Sequence, residues 1–397
     1  MSKKKLLGKL SMIGFGTVFQ ILSSFSTAIV AYFIFAKHDE AIWGQFAANW
    51  MVISWLSLLF NFGCKEALLK EFSTTKAKPT LLCKQNMSAR LPLLIICILA
   101  LLVLKKFSQS LTLIPILIAS FIVNSFQPLF IFEKRFKLLF ITEILALGTQ
   151  LLFLFKTKTS LHLNFLLLSF LMYLGIKIFS ILFIYRRNLI PQMNFIFYPA
   201  ILKSLGPFFL LALGGMLVNK ADLMVVTAQL GDTTKAQYHI ISTFSSVGIV
   251  GAHALLQPFI KQVYRINIQA FNKIALSYFL WGVIISMVYS LCLLALTDYF
   301  FNFELSYTTL ILVYFIELIF FAINPMVFYI FRIDKQNYFV VLVLIAGFFS
   351  LLFAFVFVKP FGIEGALFSN FTGNFILLAL LWITKRYLKE RELLVIK

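Results

Sequence analysis

Residues 204–230 read SLGPFFLLALGGMLVNKADLMVVTAQL, a run of 27 positions whose only charges are Lys220 and Asp222. A bilayer core about 30 Å thick is crossed by roughly 20 apolar residues in a helix, so this run predicts a transmembrane span. The rest of the chain repeats it. Comparable runs lie at 11–36, 42–64, 87–104, 111–132, 138–155 and 163–185 before it, and at 236–258, 274–297, 305–331, 338–358 and 361–384 after it. The expected fold class is an all-α integral membrane protein of about twelve transmembrane helices.

Composition agrees. Of 397 residues 61% are hydrophobic and 13% charged, against about one quarter charged in soluble domains. In a soluble protein the net charge of +20 would suggest a nucleic-acid partner, but here the charge is distributed differently. Lys and Arg number 26 in the N-terminus, the even-to-odd loops and the tail, and 7 in the odd-to-even loops. Basic loops stay cytoplasmic, so both termini are expected in the cytoplasm and no nucleic acid is implied. Lys3-Lys4-Lys5 followed by Ser11–Ala36 is longer than a cleavable signal's apolar core and reads as a first span.

No connection is long enough to fold into a separate domain. The segment Lys65-Glu66-Ala67-Leu68-Leu69-Lys70-Glu71-Phe72 could extend the second span or lie along the interface, and the sequence leaves both open. Sliding the chain by 192 residues places Ala36 through Gly44-Gln45-Phe46 on Ala228 through Ala236-Gln237-Tyr238. Gln127-Pro128 matches Asn324-Pro325 at a shift of 197. These matches suggest two parallel repeats with a substrate site between them. The expected organisation is a six-helix bundle over 1–190, a cytoplasmic linker over 191–203 and a second six-helix bundle over 204–397 with a short basic cytoplasmic tail, the bundles enclosing a central cavity.

Charges within the bilayer are costly and invite a functional reading. Lys177, Lys220, Asp222 and Glu317 lie deep within spans, Glu143 and Arg90 nearer the cytoplasmic side, and Glu364 near the outer end of the last. Lys220 and Asp222 are two apart, about 200° around a helix, so they do not form an i,i+4 pair. Either lysine could pair with Glu317 or Asp222 across a helix interface, or meet an anionic substrate, for which an ammonium is a suitable point charge. The candidate substrate-binding residues are Lys177, Lys220, Asp222 and Glu317, with Lys65 and Arg90 as cytoplasmic-side contacts. Pro128, Pro207, Pro258 and Pro325 are expected to break or kink their spans.

Cys64, Cys83, Cys97 and Cys292 form no CxxC pair and no ligand spacing with the histidines. They read as reduced thiols, and no metal or cofactor is implied. His239 and His253, fourteen apart, read as satisfied polar residues. Most of the 48 Phe, 14 Tyr and 5 Trp face lipid or pack helices.

Gly206-Pro207-Phe208-Phe209 through Asn219-Lys220-Ala221-Asp222, then Gln229-Leu230-Gly231-Asp232 and Ala236-Gln237-Tyr238, resemble spans 7 and 8 of the Wzx-type polysaccharide flippases. These belong to the multidrug/oligosaccharidyl-lipid/polysaccharide exporter superfamily. Ile42-Trp43-Gly44-Gln45-Phe46 with Phe62-Gly63 is similar to the family's spans 1–2, and Phe361-Gly362-Ile363-Glu364-Gly365-Ala366 to its span 12. The resemblance implies two six-helix bundles around a cavity open alternately to either side. It also implies an undecaprenyl-diphosphate-linked oligosaccharide as substrate, cavity cations meeting the diphosphate, and a bacterial inner membrane as the location. Lys220 and Asp222 fall on the family's polar positions after Asn219; Lys177 rests on the reading of charges alone. Membrane lipids and other polysaccharide-assembly proteins are the further partners to expect. A drug or metabolite exporter of the same superfamily is the alternative, although span 1 lacks the carboxylate those exporters resemble one another in having. A membrane-embedded polymerase or glycosyltransferase fits less well, since the outer loops are short and nearly free of charge, and the chain is not expected to be an enzyme.

Overall fold

The computed structural model describes residues 3–37, 40–74, 77–104, 107–156, 162–189, 199–256, 268–332 and 336–395. They form α1 (Lys3–Lys37), α2 (Glu40–Asn61), α3 (Cys64–Thr74), α4 (Pro79–Leu104), α5 (Phe107–Phe132), α6 (Phe136–Lys156), α7 (Leu163–Leu189) and α8 (Pro199–Gln229), then α9 (Asp232–Leu256), α10 (Ile268–Phe301), α11 (Tyr307–Arg332) and α12 (Gln336–Val395). No strand occurs among the described residues. Ten of these helices carry a segment long and apolar enough to cross a membrane. α9, rich in serine and carrying both His239 and His253, is outside that ten. The expectation of an all-helical protein with about twelve spans is met, because in hydrocarbon only a helix or a closed barrel satisfies every backbone N–H and C=O.

α12 holds two of the expected spans. Its helical backbone is interrupted at Gly362, with φ 56° and ψ −127°, a region open essentially to glycine alone. The chain reverses there. Gly365 packs on the carbonyl of Phe357, Gly373 packs on Ser350, and the Phe357 and Phe368 rings meet edge-on at 5.2 Å. The two legs thus run antiparallel, and Glu364 at the turn accepts a 2.6 Å hydrogen bond from Ser306.

α2 also ends in a break. Phe62 (φ 46°) and Gly63 (φ 71°) are left-handed, and α3 restarts as a separate helix that packs on α4 and α5. Gly63 has a second reason to be glycine, since a methyl there would lie 2.5 Å from Cβ of Phe208. The Phe62 ring stacks on Phe209 at 4.4 Å. α3 is therefore a separate helix and not a direct continuation of α2. Of the breaks or kinks expected at the prolines, a break is excluded at three: α5, α8 and α11 continue through Pro128, Pro207 and Pro325, as membrane helices can when neighbours support the freed backbone groups. Pro258 lies outside the described residues.

By backbone proximity the chain forms two compact units. Unit 1 is Met1–Ser26 with Ala48–Ala212, and unit 2 is Thr27–Ala47 with Leu213–Lys397. Each of α1, α2 and α8 passes from one unit to the other along its length. Of the stretch 191–203, residues 191–198 lie outside the described residues and 199–203 open α8. Unit 1 packs α7 on α5 and α6. Unit 2 packs α11 on α10 and on α12 around a core that includes Val218, Phe271, Ile323, Val343 and Leu381. The hairpin tip 27–47 is fastened into unit 2 by Tyr32 and Phe35 against Phe301, by Trp43 edge-on to His239, and by Gln45 donating to Asp232 at 3.2 Å.

Candidate functional site

In unit 1, α7 carries Tyr173 and Lys177 one turn apart, and α6 brings Glu143 to both. Lys177 Nζ lies 2.8 Å from Glu143 Oε2, donates to Tyr173 Oη at 2.5 Å and sits 4.1 Å from the centre of the tyrosine ring. Tyr173 in turn donates to Glu143 Oε1. Glu143 is fully buried. The lysine thus has a carboxylate, a phenol and a π face around it, and as a group the three are neutral. The adjacent void, lined by Phe19, Gln127, Thr142 and Ser180 among others, holds only about 40 Å³, room for about one water.

Arg90, also in unit 1, is fully buried without a carboxylate partner among the described residues. Its Nε donates to Asn86 Oδ1 at 2.7 Å, Nη2 to Ser125 Oγ at 2.8 Å, and Nη1 to the Phe60 carbonyl at 3.2 Å and the Asn61 carbonyl at 3.5 Å. Those carbonyls are the last of α2, the negative end of its dipole. The guanidinium therefore caps α2 at its break, and its donors are spent within the protein. Lys65, by contrast, is exposed on a cavity of about 200 Å³ at the same break.

Unit 2 treats its charges differently. Asp222 on α8 is 1% exposed and accepts from Tyr238 Oη, from Asn370 Nδ2 at 2.9 Å and from the Leu223 N–H at 2.7 Å. Lys220, two residues earlier, donates to Ser242 Oγ at 3.1 Å and Ser246 Oγ at 3.0 Å. Among the described residues no carboxylate lies within ion-pair distance of it. Tyr238, Ser242 and Ser246 follow one another at i, i+4, i+8, a single face of α9. That stripe serves the aspartate with its first member and the lysine with the other two. Glu317 on α11 is 2% exposed and lies against Gly248 of α9, where a methyl would stand 2.3 Å from Oε2; its Oε1 has no hydrogen-bond partner among the described residues.

The expected cross-helix pairing thus occurs for Lys177, but with Glu143 and not with Glu317 or Asp222, and Lys220 pairs with neither. The residues that the sequence reading left aside are Tyr173, Tyr238, Ser242, Ser246 and Asn370. His239 is buried against Trp43, and His253 stacks on Phe328 at 6.0 Å. Among the described residues no three His, Cys, Asp or Glu side chains gather as a metal site. The four cysteines are free thiols.

The chain matches no protein-family model and no curated protein. Its fold does match solved structures. Lipid II flippase MurJ, in an inward closed conformation, superposes with a TM-score of 0.69 over 93% of this chain and 87% of that one, at 11% identity. An inward-facing multidrug resistance MATE family transporter of the MOP superfamily gives 0.60 over 93% and 94%, at 14% identity. A MOP superfamily transporter from Pyrococcus furiosus, described as having a binding pocket of reverse polarity, gives 0.54 over 95% of each chain, at 14% identity. The chain has the fold of these membrane transporters. At such identities the likeness is one of fold.

Proposed function

We propose that this protein is a flippase for a polyprenyl-diphosphate-linked oligosaccharide, an O-antigen or other surface-polysaccharide repeat unit, which it moves from the cytoplasmic to the outer face of a bacterial inner membrane by alternating access. The reading rests on Lys220. Lys220 is a half-buried ammonium that donates to two serine hydroxyls and has no carboxylate within ion-pair distance among the described residues, and such a group in a membrane interior calls for an anion. The diphosphate of a lipid-linked sugar supplies one in compact form. Asp222, held by Tyr238 and Asn370, positions α8 against α9 and so keeps Lys220 on its stripe. The fold likeness to a lipid II flippase supports the same class of substrate. Both termini lie in the cytoplasm on the distribution of basic residues. The chemistry is transport and not bond making.

An exporter of drugs or metabolites is the second reading, favoured by Glu317, whose unpartnered buried oxygen is the kind of group a coupling cation or proton would use. Deleting the gene and measuring surface polysaccharide together with polyprenyl-linked oligosaccharide separates the two. The flippase reading expects loss of surface glycan, repeat units trapped facing the cytoplasm, rescue by the wild type and no rescue by Lys220→Met at equal protein level. Normal surface glycan in the deletion strain, or full rescue by Lys220→Met, sinks it.

A further inference from the structure

The void at the α2–α3 break holds about 200 Å³, several waters' worth of space. Its wall is partly apolar, with Leu58 and Ala212, and its polar side chains include several donors. Lys65, Asn61, Asn124 and Gln127 line it, with Glu66 as the sole carboxylate. Lys65, Asn124 and Gln127 have no side-chain partner among the described residues. Asn61 is turned by Arg90, whose Nη1 reaches its Oδ1 at 3.5 Å, which leaves Nδ2 to donate elsewhere. The first backbone bond of α3 is from the Ala67 N–H to the Gly63 carbonyl, 3.3 Å. The N–H groups of Cys64, Lys65 and Glu66 before it have no acceptor in the helix, and they form the positive end of an 11-residue helix. The left-handed pair Phe62-Gly63 separates that end from α2, and Gly63, Cys64, Lys65 and Glu66 all line the cavity.

An ammonium and three side-chain amides line a space large enough for phosphoryl oxygens, at the positive end of α3. We infer that this cavity is the first station for the diphosphate of the lipid-linked substrate, which is held at the α2–α3 break before it is passed on. The inference rests on the flippase reading and adds a place to it. Lys65 is the point charge, and Gln127 and Asn124 are the neutral donors that fix orientation. Glu66 is the brake, a like charge that keeps binding weak enough for release.

Titration calorimetry on the full-length purified protein in nanodiscs, with farnesyl diphosphate as probe and farnesol and inorganic pyrophosphate as controls, tests it. Wild type should bind farnesyl diphosphate and not farnesol. Lys65→Gln should weaken binding at least about tenfold, the size of one lost charge-assisted bond, with unchanged melting because the side chain is exposed. Glu66→Gln should tighten binding, a gain that no folding defect would produce. Lys65→Gln should weaken binding by the same factor in a Lys220→Met background, which reads the Lys65 site apart from Lys220. Equal binding by wild type and Lys65→Gln, or none by wild type, overturns the station even where Lys220 still governs flipping. Pyrophosphate binding as tightly as the farnesyl compound also overturns it, by assigning the cavity to a free anion. Failure of the flippase reading itself would appear in the glycan measurement instead.

Discussion

Lys177 in unit 1 and Lys220 in unit 2 look alike in sequence, each a lone ammonium in an apolar helix, yet the two units answer them in opposite ways. Unit 1 surrounds Lys177 with Glu143 and Tyr173 and leaves beside it a void of about 40 Å³. Unit 2 gives Lys220 only hydroxyls and holds its carboxylates apart, Asp222 on neutral donors and Glu317 against Gly248. A closed pair is a structural solution, because either partner alone is the costly state. An open charge is a costly structural solution, and its retention points to what it binds. The comparison teaches that burial of a lysine says little until its counter-charge is located.

The largest expected effect tests the closed pair. Glu143→Ala strands Lys177 and should cost about 3–5 kcal/mol, whereas Glu143→Met combined with Lys177→Met should unfold near the wild type; denaturation in detergent reads both. A small loss in the single variant would break the comparison. Next, Tyr238→Phe removes one donor from the buried Asp222 and should cost about 1.5–3 kcal/mol, with Asn370 and the Leu223 N–H still holding the carboxylate. Lys220→Met should be neutral or stabilising by about 1 kcal/mol or more, so that it melts no lower than wild type while failing in transport. A pronounced loss of stability would mean that Lys220 is as structural as Lys177.

The smallest effect calibrates the others at the surface of unit 2. The Lys235 ammonium beside Asp232 holds that carboxyl below its usual range, with Gln45 contributing. A depressed carboxyl stabilises the fold above its unfolded value, near pH 4, and that contribution fades as pH falls through the folded value. Melting curves of wild type and Asp232→Asn should therefore differ by less than about 1 kcal/mol at neutral pH and converge as pH falls through the folded value. A gap that widens in acid would reverse the assignment.

Apolar run length alone laid out the helices, since each span must satisfy its own backbone in hydrocarbon. The reversal between 338–358 and 361–384 was legible from Lys359-Pro360-Phe361-Gly362, which interrupts the run with a charge, a proline and a glycine. The break at Phe62-Gly63 was half legible: Gly63 stood out, but its collision with Phe208, 145 positions away, is a tertiary fact. Charge partners were the least readable. Glu143 lies 34 residues before Lys177 and meets it only because α6 packs on α7. One local signal was available, the i, i+4, i+8 stripe of Tyr238, Ser242 and Ser246, which marks a polar helix face even when its partner is unknown. Arg90 could be flagged as a costly charge, but its use as a cap for α2 depends on where that helix stops.

The fastening of the hairpin tip Thr27–Ala47 into unit 2 has a consequence for synthesis. Gln45 meets Asp232 187 positions later, and at about 5–20 residues per second the ribosome delivers that partner roughly 10–40 seconds after the tip. The first hairpin must wait in the bilayer, incompletely packed, until α8 and α9 arrive. Any chain that stalls before Asp232 leaves Trp43 and Phe46 without the neighbours that bury them.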